Sequence, residues 1–181
     1  LKEDAMTQIK RILISTDLSD PSQQAIDVGG EVAERFDAEV ILCYVVEDHI
    51  PTMGMIEFSG VQMASIEKAH KIAAAEHLQT VAETLERRGL NVRREIPLGV
   101  PHHEIVELAQ KTDADMIVMG THGRGFVSRL VLGSTTDRVL RHAPCPVLVV
   151  REAWRIARRH RRSWMTAAPA PQTWIRTDCR R

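Results

Sequence analysis

Apolar residues along this chain fall in short runs separated by stretches of helical period, a pattern that predicts alternating strands and helices. Arg11 to Thr16 reads as a short buried strand. Asp17-Leu18-Ser19-Asp20-Pro21 then supplies turn and N-cap chemistry, with Pro21 suited to a first helical turn. From Ser22 to Phe36, the residues Ala25, Ile26, Gly29, Val32, Ala33 and Phe36 recur at three- and four-residue steps and predict one helix face. Val40 to Val46 is unbroken and β-rich, as a central strand covered on both faces requires. Gln62 to Arg88 predicts a long helix with Ile66, Ala69, Ala73, His77, Val81 and Leu85 on its apolar side, closed by Gly89. Asn91 to Leu98 predicts a more polar strand at a sheet edge, where Arg93, Arg94 and Glu95 meet water. Pro101 to Lys111 predicts a helix with Ile105, Val106, Leu108 and Ala109 inward. Met116 to Met119, Ser134 to His142 and Val147 to Val150 complete the series as strand, helix and strand. Five strands and four helices in alternation describe an α/β fold, an open doubly wound parallel sheet. The segment His49 to Gly60, with Pro51, Gly54 and Gly60 among Met53, Met55, Ile56 and Phe58, is too irregular for a strand. It is expected to be a loop packed on the long helix or on a neighbouring subunit.

Composition narrows the class. The 181 residues are 44% apolar and 27% charged, sufficient for one domain with a sizeable core. The longest apolar run, Val40 to Val46, is far short of the ~18 residues of a membrane span. No basic-then-apolar leader with a small-residue cleavage site is evident, so secretion is not expected. Cys43, Cys145 and Cys179 are odd in number and show no metal-ligand spacing, which fits a reduced, cytoplasmic compartment. The 24 basic and 24 acidic side chains balance overall but not locally. Residues 152–181 contain eight arginines, two acids and all three tryptophans, leaving the preceding body acidic by six charges. The acidic body offers no broad field for nucleic acid. The Arg/Trp tail does, and it is the candidate surface for a nucleic acid or acidic partner; the alternative is a disordered extension with no specific role.

The chemistry concentrates late in the chain. The fourth strand runs into Gly120-Thr121-His122-Gly123-Arg124-Gly125, and Gly133-Ser134-Thr135-Thr136 opens the following helix. Glycines after a strand admit close approach of a ligand to the backbone. A first helical turn leaves N–H groups unpaired beside about half a positive charge, which suits phosphate. A tight loop with a well-capped helix is the alternative reading. Neither common phosphate motif applies: no lysine precedes Ser134 as in a P-loop, and the first strand ends in Ser15-Thr16-Asp17 rather than in a glycine fingerprint.

Four features together resemble the universal stress protein family, and its ATP-binding subgroup in particular. They are Gly120-x2-Gly123-x9-Gly133-Ser134, the ending Thr16-Asp17 of the first strand, the second-strand sequence V-I-L-C-Y-V-V-E-D, and the terminal A-P-C-P-V-L-V-V. The resemblance covers about residues 8–151, and the family implies strand order 3-2-1-4-5 with helices on both faces. It implies that Ser15, Thr16 and Asp17 line an adenosine pocket, Asp17 accepting from the adenine or ribose edge, and that Val45 holds adenine through its backbone. It further implies that Met119, Gly120, His122 and Gly123 meet ribose and phosphates, and that Gly133, Ser134, Thr135 and Thr136 bind the phosphates. Position 15 is serine where the family often has proline. The resemblance also implies a homodimer through Val147–Val150. The expected function is therefore a dimeric nucleotide sensor in stress response or regulation, holding ATP or AMP/ADP, with Mg²⁺ as an accessory that Asp17 would ligate. A slow ATPase or phosphotransferase at the same site is the alternative, with Arg124 and Arg129 as candidate charges.

Other residues are assigned to structure. His122 has no carboxylate near it in sequence and is not expected to be catalytic. His102-His103-Glu104 is expected to diverge around a solvated first turn rather than to ligate a metal. His70 and His77 are placed at a core edge or surface, and Cys43 and Cys145 in packing.

Overall fold

A computed structural model of the chain describes residues 8–47, 60–121 and 132–151. In chain order the elements are β1 (Arg11–Ser15), α1 (Asp20–Phe36), β2 (Glu39–Cys43), β3 (Val46–Glu47), α2 (Gly60–Glu86), β4 (Val92–Glu95), β5 (Leu98–Gly99), α3 (Pro101–Lys111), β6 (Met116–Gly120), α4 (Ser134–His142) and β7 (Val147–Val150). The main sheet is parallel in the order β4-β2-β1-β6-β7. Numbering those five strands along the chain gives the expected 3-2-1-4-5.

The apolar runs are continuous because both faces of the sheet are covered. Ile12 and Ile14 of β1, Val40 and Leu42 of β2 and Val118 of β6 point into one layer with Ala25, Ala33, Leu78 and Leu85. Leu13, Ile41, Cys43, Ile117 and Met119 point into the other, with Ile105, Leu108 and Val139. Thus α1 and α2 cover one face, α3 and α4 the other. Each fully buried Ile or Leu contributes roughly 1.5–3 kcal/mol of transfer free energy, so a core of this kind is the main stabilising term.

Three expectations are corrected. The run Val40 to Val46 is not one strand: it breaks at Tyr44-Val45, as its partner breaks at Ile96-Pro97, and the short pair β3–β5 follows. Val40 pairs with Val92 and Val46 with Leu98, the same register on either side of the gap. Pro97 has no N–H to donate, which accounts for an interruption there without a slip. Phe36 is 48% exposed, because it closes α1 beyond the sheet. On α2 the buried stripe is Ala74, Leu78, Ala82 and Leu85, whereas Ala69, Ala73 and His77 are exposed. The helix is turned by about one residue so that Leu78 packs on the sheet; the Ile66 side chain lies outside the described residues. The edge assignment for β4 holds, with Arg93 and Arg94 exposed. Gly89 adopts φ 89 and Leu90 N–H returns to Leu85 O at 3.3 Å, a glycine-dependent stop for α2.

Candidate functional site

In a 3-2-1-4-5 sheet the chain leaves β1 and β6 toward opposite faces, and a crevice opens at their carboxyl ends. A cavity of about 720 Å³ occupies that crevice. Ser15, Thr16 and Asp17 enter it from the end of β1, Val45 from the gap after β2, and Met119 and Gly120 from β6. Gly133, Ser134, Thr135 and Thr136 close it from the start of α4. Ten of the twelve residues singled out from sequence therefore line one cavity, brought together from four separate segments. His122 and Gly123 lie outside the described residues, as do the segment 48–59, Arg124, Arg129, Cys179 and the tail 152–181.

Local geometry gives each wall a chemical character. Thr16 N–H donates to Cys43 O at 2.9 Å, toward β1, while Tyr44 N–H and Val46 N–H donate to Glu95 O and Pro97 O on the opposite side. Backbone groups alternate along an extended strand, so those of Val45 are directed to the β1 side, beyond the last β1–β2 pair. That is where a planar ring could be held by main-chain atoms. At the other wall Gly133 is the N-cap of α4 at φ −61, ψ 147, with no side-chain cap, and Ser134 is the first helical residue. Asp137 N–H makes the first intrahelical bond, to Gly133 O at 2.9 Å. The amides of Ser134, Thr135 and Thr136 precede it and have no acceptor within the helix.

The hydroxyls are not equivalent. Thr136 is buried and donates to Gly120 O at 3.0 Å, tying the first turn of α4 to the end of β6. The Thr16 hydroxyl is likewise engaged within the protein, 2.8 Å from Ser22 Oγ. Ser134 is exposed. Among the described lining residues the formal charges are those of Asp17 and Glu47, with His70 and His77 titratable and no lysine or arginine. Sequence reasoning missed Ser22, Tyr44, Glu47, His70 and His77 as lining residues. The two histidines share a helix face seven apart, but only the rise of α2 over the sheet rim shows that this face borders the cavity. Cys43 is fully buried beneath the site, and burial, aided by the Glu95 and Glu104 carboxylates, pushes its thiol up to about 12. It is a packing residue.

The expectation that His103 and Glu104 diverge is also corrected. His103 Nδ1 lies 3.5 Å from Glu104 Oε1 and 3.7 Å from Glu107 Oε2, with the three ligand-capable atoms within 4.8 Å of one another. Glu104 folds against Gly99, where a Cβ would stand 2.5 Å from its Oε1, and Glu107 is one turn along from His103. With His103 and Glu107 well exposed, the trio is a surface i, i+4 pair with a third acid alongside.

Comparison with known proteins is consistent across three kinds of evidence. A family model described as the universal stress protein family matches residues 8–151. A universal stress protein of Methanocaldococcus jannaschii is 41% identical over 143 residues, covering 79% of this chain and 82% of that protein. The structure of universal stress protein UspA from Lactobacillus plantarum superposes with a TM-score of 0.71 at 29% identity, over 80% of this chain and 99% of that one. The fold is shared at a TM-score of 0.54 and 21% identity with the universal stress protein from Archaeoglobus fulgidus in complex with dAMP, over 78% of this chain and 98% of that one.

Proposed function

From the premise that this chain belongs to the universal stress protein family, we propose that its cavity holds an adenine nucleotide and that the protein acts as a dimeric nucleotide sensor in the cytoplasm. The observation that carries the reading is the meeting, at one sheet rim, of an aspartate, an inward-facing main-chain step and an uncapped helix start. Adenine would lie on the Val45 backbone, with Asp17 accepting from the adenine or ribose edge. The phosphates would lie against the amides of Ser134, Thr135 and Thr136, where the helix dipole favours negative charge. The dAMP complex of the Archaeoglobus protein supports an adenine mononucleotide as the ligand class within this fold. Among the described lining residues the start of α4 is the favourable field for phosphate, and Asp17 and Glu47 offer the hard oxygen donors that Mg²⁺ takes. Mg²⁺ would there offset phosphate charge.

Calorimetric titration of the purified chain with ATP and Mg²⁺, and separately with AMP, tests the reading. Saturable binding is expected; no heat at millimolar nucleotide refutes it. Gly133→Val is the matched control. Its backbone angles are open to any residue and its N–H would still reach Thr121 O, now 2.8 Å away. Valine is a poorer N-cap than glycine, so some loss of stability is expected, and below its melting temperature the folded variant should fail to bind.

A further inference from the structure

Leu18 has φ 60, a left-handed conformation that is unfavourable for a residue bearing a side chain. It follows Asp17 directly, and both line the cavity. Strain at a binding rim persists only when the surroundings over-determine it, and here a single chain of hydrogen bonds does so. Ser22 Oγ donates to Ser19 O at 2.8 Å, which spends the only proton of that hydroxyl. Thr16 Oγ1 lies 2.8 Å from Ser22 Oγ, so Thr16 must be the donor in that pair. Thr16 Oγ1 in turn accepts from Leu18 N–H at 3.0 Å. The direction is fixed throughout, from Leu18 N–H through Thr16 and Ser22 to the Ser19 carbonyl, and both hydroxyls are buried.

The turn that this relay encloses presents Asp17. Ser19 stands at the N-cap of α1, yet makes no side-chain cap. Its hydroxyl instead donates to Asp17 Oδ1 at 2.6 Å, and its N–H to the same oxygen at 3.1 Å. A serine at that position ordinarily satisfies the helix start; here it orients a carboxylate. We propose that Ser22 is a positioning residue for the nucleotide site: through Thr16 it holds Leu18 left-handed and thereby fixes the Asp17 carboxylate at the cavity. The inference rests on the adenine-nucleotide reading above, in which Asp17 touches the ligand and Ser22 acts only through it.

The test is a double-mutant cycle on the full chain, with ATP–Mg²⁺ affinity and melting temperature measured for each protein. Ser22→Ala should weaken binding about tenfold, and Ser22→Thr, which keeps the hydroxyl, should stay near wild type. In an Asp17→Ala background, Ser22→Ala should weaken binding no further. A Ser22→Ala protein with a lower melting temperature but unchanged affinity would overturn the proposal, as would an equal loss of affinity in both backgrounds; either would limit Ser22 to starting α1. Should Ser22→Ala leave no folded protein, Thr16→Val interrupts the same relay one bond earlier and the cycle is read identically. Failure of the wild-type chain to bind any adenine nucleotide overturns the functional reading itself, and this proposal with it, before any variant is compared.

Discussion

Thr136 and Ser134 stand two residues apart at the start of α4, and substituting each should separate folding from binding. The Thr136 hydroxyl is buried and its one proton goes to Gly120 O at 3.0 Å, across sixteen residues of chain. Thr136→Val keeps the shape and removes that donor, leaving the Gly120 carbonyl short of a partner. A buried polar group so treated costs about 1–3 kcal/mol. Gly120 borders the cavity, where water can replace part of the bond, so about 1–2 kcal/mol is expected. For a chain of this size each kcal/mol shifts the melting temperature by about 2–4 °C, which predicts a fall of about 2–8 °C. Ser134 is exposed at the first helical position, and Ser134→Ala should change stability by less than about 0.5 kcal/mol. Binding should respond in the opposite order. Ser134→Ala removes a hydroxyl free to turn to an anion and should weaken ATP by up to about tenfold, whereas Thr136→Val retains the amide and should bind nearly normally at temperatures where it is folded. Thermal denaturation and calorimetry on the two variants decide the matter. A Thr136→Val protein of unchanged stability that binds less well than Ser134→Ala would show that this hydroxyl faces the ligand, contrary to the geometry described.

Three further outcomes follow from the packing. Alanine is favoured over glycine in a helix by about 1 kcal/mol, yet a Cβ at Gly29 would stand 2.6 Å from Ile14 Cδ1 and 2.9 Å from its Cγ1, in a fully buried strand. Overpacking of about 1–3 kcal/mol should prevail, so Gly29→Ala should lower the urea midpoint; at Gly30 a Cβ would meet Arg88 Nη1 at 2.8 Å and the buried Leu85 Cδ2 at 2.9 Å, and Gly30→Ala should be destabilising too. Acidification should destabilise in two steps. His102 is held below its usual 6.5 by burial first, then by Arg138, His103 and His142, and Glu34 below its usual 4.5 by the hydrogen bond from Arg88. In both cases the folded state binds fewer protons than the unfolded chain, so stability is fully present above the unfolded value and falls as pH drops through the folded one. The partial exposure of the Glu34–Arg88 pair limits its share to under about 1 kcal/mol, and urea midpoints at pH 7, 5.5 and 4 should fall monotonically. Finally, Ile117 N–H and Thr121 N–H bond Pro146 O and Val150 O, so Val149 N–H points away from β6 to the free edge of β7. Val149→Pro removes that edge donor and spares the β6 ladder; it should convert the proposed dimer to a folded monomer by light scattering, and a dimer that survives, or a wild-type chain that is itself monomeric, would refute this interface.

Much of this architecture is legible in the residues because the physics that sets it is local. Pro101–Lys111 and Ser134–His142 form the helices that their apolar spacing and first-turn residues predict, and Val147–Val150 the strand. The strand order is different in kind. No spacing states that β1 lies beside β6, and it was the resemblance of Thr16-Asp17 and the glycine-serine motif to a known family that placed Asp17 near Gly120. Side-chain assignments within long helices were less legible. On α2, Ala73 and Ala74 are equally good helix formers, and His77 and Leu78 are adjacent, so the period alone admits two stripes a residue apart; contact with the sheet selects Leu78.

Several departures from local preference gather at one place, and that is itself informative. The break at Tyr44-Val45, the turn of α2 that sets His70 and His77 at the cavity and the left-handed Leu18 all border the same crevice, and the diverted Ser19 hydroxyl bonds Asp17 in its wall. Phe36 and the His103–Glu104 contact do not line it. Each departs from what the local segment would do alone: continue a strand, bury a stripe, avoid positive φ, cap a helix. A departure of this kind lowers stability unless something else is obtained by it, and local rules fail most often where a chain serves a ligand. In a strand continued through Tyr44 and Val45 against a longer β1, the Val45 backbone would be spent on a neighbour. In a conventionally capped α1, the Ser19 hydroxyl would satisfy its own helix, and Asp17 Oδ1 would keep from Ser19 only the longer bond of its backbone N–H. The costs fall where the proposed nucleotide would lie, whereas β1, β2 and β6, which only carry the rim, follow the simple alternation of buried faces throughout.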